Sequence, residues 1–274
     1  MSMNEELMQK LKADLEKSGL ATELKVRKIF QQRGWSISGG AAYLDKDEGK
    51  SREIDIVAYH GASVKKNEKI IIYNGFQAHV EVKKSEKPWV VFKHYPSKFL
   101  DSCAWNNIID YINLPCEPIK LARSLQAHSL IKVNGWEGTG IHEAFKNPDQ
   151  PSRWYGAFLS AIKSATDYFE EHETEGEKLS SNLYENPAEI TFNQPIVVLD
   201  GILITAELSD DGEIILEEVT SAAFRFDYKT EHYNRSSYRV DVVTIHGLNE
   251  YLKIAEQRQQ SLGREILKQA KIEA

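Results

Sequence analysis

Four residues in the first third of the chain have types and spacing suited to phosphodiester chemistry: Glu23, Asp55, Glu81 and Lys83. Asp55 lies in the run REIDIVAY, where Ile54, Ile56 and Ala58 alternate with it. On a strand these three share one face and Asp55 takes the other. In HVEVKK, Glu81 and Lys83 share a face, with Val80 and Val82 opposite. If the two strands are neighbours, Asp55 and Glu81 converge, with Lys83 one step along. Two carboxylates on rigid strands suit a hard divalent cation such as Mg2+, with Mn2+ as a substitute. A lysine beside them can align a water and stabilise charge on a phosphate. Glu23 lies in GLATELKVRKIF, next to Val26 on the helix side expected to face the sheet. An acid there needs a cation or a lysine as its partner.

Each residue also has a plainer reading. Asp55 is a strand-end acid that Arg52 can pair. Glu81 and Lys83 suit the solvated face of an edge strand. Glu23 can pair with Arg27 four residues on. His79 shares the face of Glu81 and Lys83, but a lone strand histidine is more often a packed polar residue. After the site come Lys84, Lys87, Trp89, Lys93, His94 and Lys98, a basic segment interleaved with aromatics. Its lysines suit phosphates and its aromatics suit base stacking. The alternative puts Trp89 and Phe92 in the core and the lysines on a wet rim.

The elements that must position these groups follow from periodicity. Residues 3–17, with Leu7, Leu11 and Leu15 at spacing four, predict a helix. Ser18-Gly19 breaks it, and a second helix runs from Leu20 to Arg33, before Gly34. Trp35–Ser38 predicts a short strand ended by Gly39-Gly40, and Arg52–Tyr59 a stronger one. Gly61–Glu68 reads as a polar loop. Lys69–Tyr73 and Phe76–Lys83 are extended, with Asn74-Gly75 as a hairpin turn or a bend in one long strand. Residues 88–118 predict loops and short helices. Helices follow at 119–131 and 151–172, then an acidic, polar stretch at 173–186. Residues 195–208 and 213–219 form a hairpin around Asp210-Asp211-Gly212. A strand at 238–245 and a helix from Leu248 to the C-terminus complete the chain. The expected class is α/β, an α+β mixed sheet, in one elaborated domain over 1–274. Its motif-bearing core is 18–100 and its extension 101–274, with 175 as the boundary candidate.

In order and type, Glu23, Asp55 and the Glu81-x-Lys83 pair resemble the PD-(D/E)xK nuclease superfamily, the restriction-endonuclease-like fold. The resemblance implies a core of helix, three strands, helix and strand, here extended by further C-terminal strands and a terminal helix. It implies Asp55 and Glu81 as metal ligands, Lys83 as the residue positioning water, and Glu23 as a supporting acid. Ile54 stands where the superfamily pattern has proline. The gap between Asp55 and Glu81 is long. The implied function is Mg2+-dependent nuclease action, on DNA rather than RNA, with Lys84, Lys87, Trp89, Lys93 and Lys98 contacting nucleic acid. Superfamily membership also admits an inactive nucleic-acid-binding or protein-interaction module.

Composition narrows the field. The chain has 274 residues, 41% hydrophobic and 27% charged, which is ordinary for a globular protein. Two cysteines, Cys103 and Cys116, exclude a disulfide framework and a four-cysteine zinc site. No HExxH, P-loop or GxSxG motif occurs, which disfavours zinc proteases, P-loop NTPases and α/β-hydrolases. No apolar run reaches membrane-spanning length and the N-terminus lacks a signal-peptide pattern, so a cytoplasmic protein is expected. Charge is uneven. Residues 1–100 carry 18 basic and 13 acidic side chains, and residues 101–274 carry 16 and 28. A local basic surface fits the first part, and a basic protein partner fits the acidic remainder.

Overall fold

Local signals set the first elements. In a computed structural model of the chain, Asn4 caps α1 (Glu5–Lys17) by accepting the Glu6 N–H at 3.0 Å. Gly19, at φ 85°, separates it from α2 (Leu20–Gln32), which buries Thr22, Val26 and Phe30 at spacing four. The structure describes residues 4–66, 69–95, 108–112, 136–147, 150–173, 187–233, 235 and 237–269. The predicted helix at 119–131, the boundary at 175, both cysteines and Lys98 lie outside them.

After α2 come β1 (Ser36–Asp45), β2 (Lys50–Lys66) and β3 (Lys69–Lys84), joined as antiparallel neighbours. Two expectations need correction here. Residues 61–66 are not a loop but the second half of β2, and β1 runs straight through Gly39-Gly40. Of the two readings of Asn74-Gly75, the hairpin turn is set aside and the single long strand holds, since β3 runs through both residues. Gly75 pairs across the ladder with Gly61, and Tyr59 lies over both. A Cβ would come within 2.9 Å of Tyr59 at Gly61 and 2.8 Å at Gly75. The glycines make room for an aromatic ring rather than for a reversal.

The 88–118 stretch is also corrected, since it supplies β4 (Trp89–His94) and β5 (Ile108–Ile112). Then come β6 (Glu137–Glu143), α3 (Arg153–Glu173), β7 (Ala188–Asp200), β8 (Leu203–Leu208) and β9 (Ile214–Glu218). The chain ends its described part with β10 (Ser221–Asp227), β11 (Ser237–Thr244) and α4 (Leu248–Gln269). The fold is mixed α/β: four helices among the described residues and one large sheet with both parallel and antiparallel pairs. β7 lies parallel to β3 along nearly its whole length.

The strand path is β1-β2-β3-β7-β11-β10-β6-β4-β8-β9, and β5 also pairs with β7. β7 and β8 are five places apart on this path, about 24 Å in a flat sheet. The chain joins them through Gly201 and Ile202, a reach of roughly 10 Å. The sheet must therefore curl until β4 and β8 return to the ends of β3 and β7. One core, with Val26, Phe30, Phe76, Val80 and Leu252, lies between the sheet and α2 with α4. A second, with Trp89, Phe158, Val197, Leu203 and Phe224, fills the curl beneath α3. The site residues of β3 stand on the α3 side of this wall.

Candidate active site

Asp55 sits at a break in a ladder. The β1–β2 pairing steps from Gly39↔Ile56 to Ala41↔Ile54, passing Gly40 and Asp55. Gly40 has φ 63°, a conformation that twists the ribbon there. As a result Ile54 packs with Tyr43 and Ala161, whereas Ile56 and Ala58 join the core under α2 and α4. The expected common face for all three is corrected by this twist. The β2–β3 register begins at Ile56↔Val80, so the strands part at Asp55. Its Oδ2 then accepts the Val82 backbone N–H at 2.7 Å. The carboxylate is thereby pinned to the peptide segment between Glu81 and Lys83.

Alternation on β3 works as expected. Val80 and Val82 enter the core, and Glu81 turns to the other face, where it is 6% exposed. Lys83 Nζ donates to Glu81 Oε2 and keeps 30% of its side chain exposed. Burial pushes the Glu81 carboxyl above its ordinary range, and Asp55 adds to this; Lys83 and a hydrogen bond to Ser160 of α3 pull the other way. Glu23 is half-buried and pairs with Arg27 at 3.7 Å. Burial and then Asp55 raise its pKa, against Arg27 and Lys83. The four predicted residues therefore share one electrostatic neighbourhood. Arg52 does not pair with Asp55; it binds Asp45 at 3.2 Å and Glu48 at 2.6 Å.

Glu81 and Lys83 open onto a cleft of about 450 Å3, lined also by Tyr43, Asp45, Arg52 and Ser160. The start of α3 forms the facing wall. Its first amide, at Arg153, donates to the Glu143 carboxylate at 2.7 Å, and the Arg153 guanidinium reaches Ser85 Oγ at 3.2 Å. Below the cleft, Lys163 of α3 binds Asp45 at 2.6 Å and Asp47 at 2.8 Å. Tyr228 also donates to Asp47, as does Thr230 at 2.7 Å. These groups clamp α3 to the β1–β2 turn. Sequence spacing missed them because Lys163 is more than a hundred residues from its partners; a lysine on the buried side of an otherwise apolar helix is the one available signal.

The chain matches no protein-family model, no curated protein and no solved structure. Among the described residues, no three His, Cys, Asp or Glu side chains come together as a ready-made metal cage. The two-carboxylate arrangement still fits a cation that keeps its waters. Glu81 is buried close to a second acid, and one partly exposed lysine is its direct ionic partner.

The basic segment divides. Lys84 and Lys87 are exposed beside the cleft wall, donating to Glu16 O at 3.2 Å and to Phe145 O. Trp89 is a correction: it is fully buried in the core of the curl and offers no ring face to a base. Lys93 lies on the far limb of the curl, bound to Glu207 at 2.8 Å and Glu217 at 3.3 Å, and lines a different cleft.

His79 is buried against α3, with Nδ1 2.9 Å from Ser164 Oγ, and burial holds its pKa down at about 4. It is neutral at pH 7 and does not act on the cleft. An unfolded histidine protonates near 6.5, so stability is lost as pH falls from about 6.5 towards 4, by at most ~3 kcal/mol. Unfolding free energy measured across that window should fall less steeply in His79→Asn. An unchanged slope would show that His79 already carries its proton when folded.

Proposed function

We propose that the chain is a metal-dependent nuclease that hydrolyses phosphodiester bonds, with DNA as its substrate. One observation carries this reading: Asp55 on β2 and Glu81 with Lys83 on β3 meet around the Val82 amide, beside an open cleft. The order helix, three antiparallel strands, helix and parallel strand, in α2, β1–β3, α3 and β7, agrees with a restriction-endonuclease-like core. β4 to β6 would then be an insertion before α3, and β8 onward the extension.

In this reading Asp55 and Glu81 would hold Mg2+, or Mn2+ in its place. The bound ion supplies Lewis-acid polarisation of a phosphoryl oxygen and a lowered pKa for a water. Asp55 contributes a fixed oxygen, because the Val82 N–H prevents its rotation. Glu81 must be ionised to take part, and Lys83 favours that form. Lys83 gives up a donor from Glu81 to the attacking water or a phosphate oxygen. Water delivers its oxygen to phosphorus and releases a proton to solvent, the P–O bond to the leaving group breaks, and the leaving oxygen takes up a proton from solvent. Arg52 and Arg153 line the cleft and attract the phosphate chain, and exposed Lys84 and Lys87 extend that field. Glu23 is the supporting acid on α2, close enough to Asp55 and Lys83 for both to bear on its own pKa.

The test is a cleavage assay on single- and double-stranded DNA and RNA with Mg2+, Mn2+ or EDTA. Cleavage of DNA with either ion and none with EDTA is expected. Absence of cleavage on all four substrates with both ions would leave nucleic-acid binding without hydrolysis as the function. No described helix is long and apolar enough to cross a membrane.

A further inference from the structure

β9 ends the strand path. Among the described residues, β8 is its one ladder partner. The direction of its backbone groups is legible. Ser209 N–H donates to Glu213 O at 2.9 Å, and Val219 N–H donates to Leu203 O at 3.0 Å. Residues of that parity therefore face β8, and Ile214, Leu216 and Glu218 turn their N–H and C=O groups outward. The side chains are unusual for an open edge. Leu208 and Ile214, a cross-strand pair, are each 70% exposed, and Leu216 is 60% exposed. Natural edges are normally blunted, and a bare apolar edge is a template for another strand.

We propose that this edge is a strand-addition site for an extended, basic segment of a partner protein. Charge selects the occupant. Residues 207–218 carry six acidic side chains and no lysine or arginine. A second copy is disfavoured: antiparallel self-pairing that matches Ile214 with Leu216 sets Glu213 opposite Glu217 at both ends. A segment alternating apolar and basic residues satisfies both features. Its apolar side chains cover Ile214 and Leu216 on one face, and its cations lie on the other face, that of Glu213 and Glu217. At its end, β9 runs into a cleft of about 780 Å3 in which Lys93 of this chain already pairs with Glu217 and lies 5.5 Å from the Trp136 ring, so Glu218 is the carboxylate of β9 there that a partner's lysine or arginine meets. This inference is independent of the nuclease reading.

The probe is a short peptide alternating valine and lysine, titrated into the full chain, with amide exchange followed by NMR. Binding that weakens with salt and slows exchange at Ile214, Leu216 and Glu218 is expected. The same peptide with glutamate for lysine should not bind. Leu216→Pro removes one outward donor without touching the ladder to β8, and should weaken binding about tenfold or more. The double substitution Glu213→Lys/Glu218→Lys tests charge with the backbone intact, and should also weaken binding. Four results would overturn the proposal: no binding, binding without protection of those amides, amides already protected in the free chain, or a dimer that protects them.

Discussion

Lys83→Ala lowers Mg2+-dependent cleavage by about a thousandfold, ~4 kcal/mol of barrier, while the Asp55–Glu81 pair still takes a metal. The lysine meets Glu81 in the resting site and is the cation nearest the proposed ligands that still reaches solvent. Its loss removes a donor from the reacting water or phosphate, which is a loss in kcat more than in KM. It also removes the charge that offsets the burial of Glu81. The Glu81 pKa therefore climbs further, and since only the ionised carboxylate binds metal, the pH profile of Mn2+ binding moves to higher pH. A merely structural lysine would not move that profile. Lys83→Arg keeps the charge and restores the wild-type profile, with partial activity. Undiminished cleavage by Lys83→Ala would remove Lys83 from the chemistry.

The second large effect is on stability. Lys163→Met should destabilise the protein by about 3–5 kcal/mol, the usual result of removing one partner from a buried ionic cluster. Lys163 and Asp45 are nearly buried, and Lys163 also lies over the rings of Tyr228 and Tyr233 at 5.7 and 5.4 Å. Burial works against the Lys163 charge, but hydrogen bonds to Asp45 and Asp47 outweigh it and raise its pKa. Burial likewise works against the Asp47 charge, yet hydrogen bonds from Lys163, Tyr228 and Thr230 hold its pKa down at about 2. Without the ammonium, the Asp45 and Asp47 carboxylates lose their shared cation beneath the cleft, and Arg52 still pairs with Asp45. A denaturant titration measures the loss, and a change under 1 kcal/mol would mean that water enters and replaces the lysine. Asp45 borders the cleft, so the same variant should impair cleavage by loosening α3 against β1.

Period-two alternation made the strand faces around Glu81 legible, because β3 is buried on both sides and a slip would expose Val80 and Val82. The spacing of α1 and α2 and the Ser18-Gly19 break between them were legible for similarly local reasons, although Leu7, Leu11 and Leu15 of α1 stay exposed. Three features were not. Residues 61–66 are polar, and the partner strand rather than their own propensity makes them extended. Asn74-Gly75 has turn chemistry, but Tyr59 claims its glycine from the neighbouring strand. Trp89 looks like a nucleic-acid contact beside four lysines, and the curl of the sheet buries it. Each case turns on a partner distant in sequence. The juxtaposition of Asp55 with Glu81 was an inference from order, and its means, a side chain bonded to the Val82 amide where two strands part, has no sequence signature.

The central claim is that Asp55 and Glu81 hold one divalent cation between them. The direct measurement is Mn2+ binding to the metal-free protein, followed by electron paramagnetic resonance. The wild type should bind Mn2+, Asp55→Asn and Glu81→Gln should each lose that affinity by at least about tenfold, and Lys83→Ala should retain it above the raised Glu81 pKa. Equal binding by the wild type and both carboxylate variants would contradict the account.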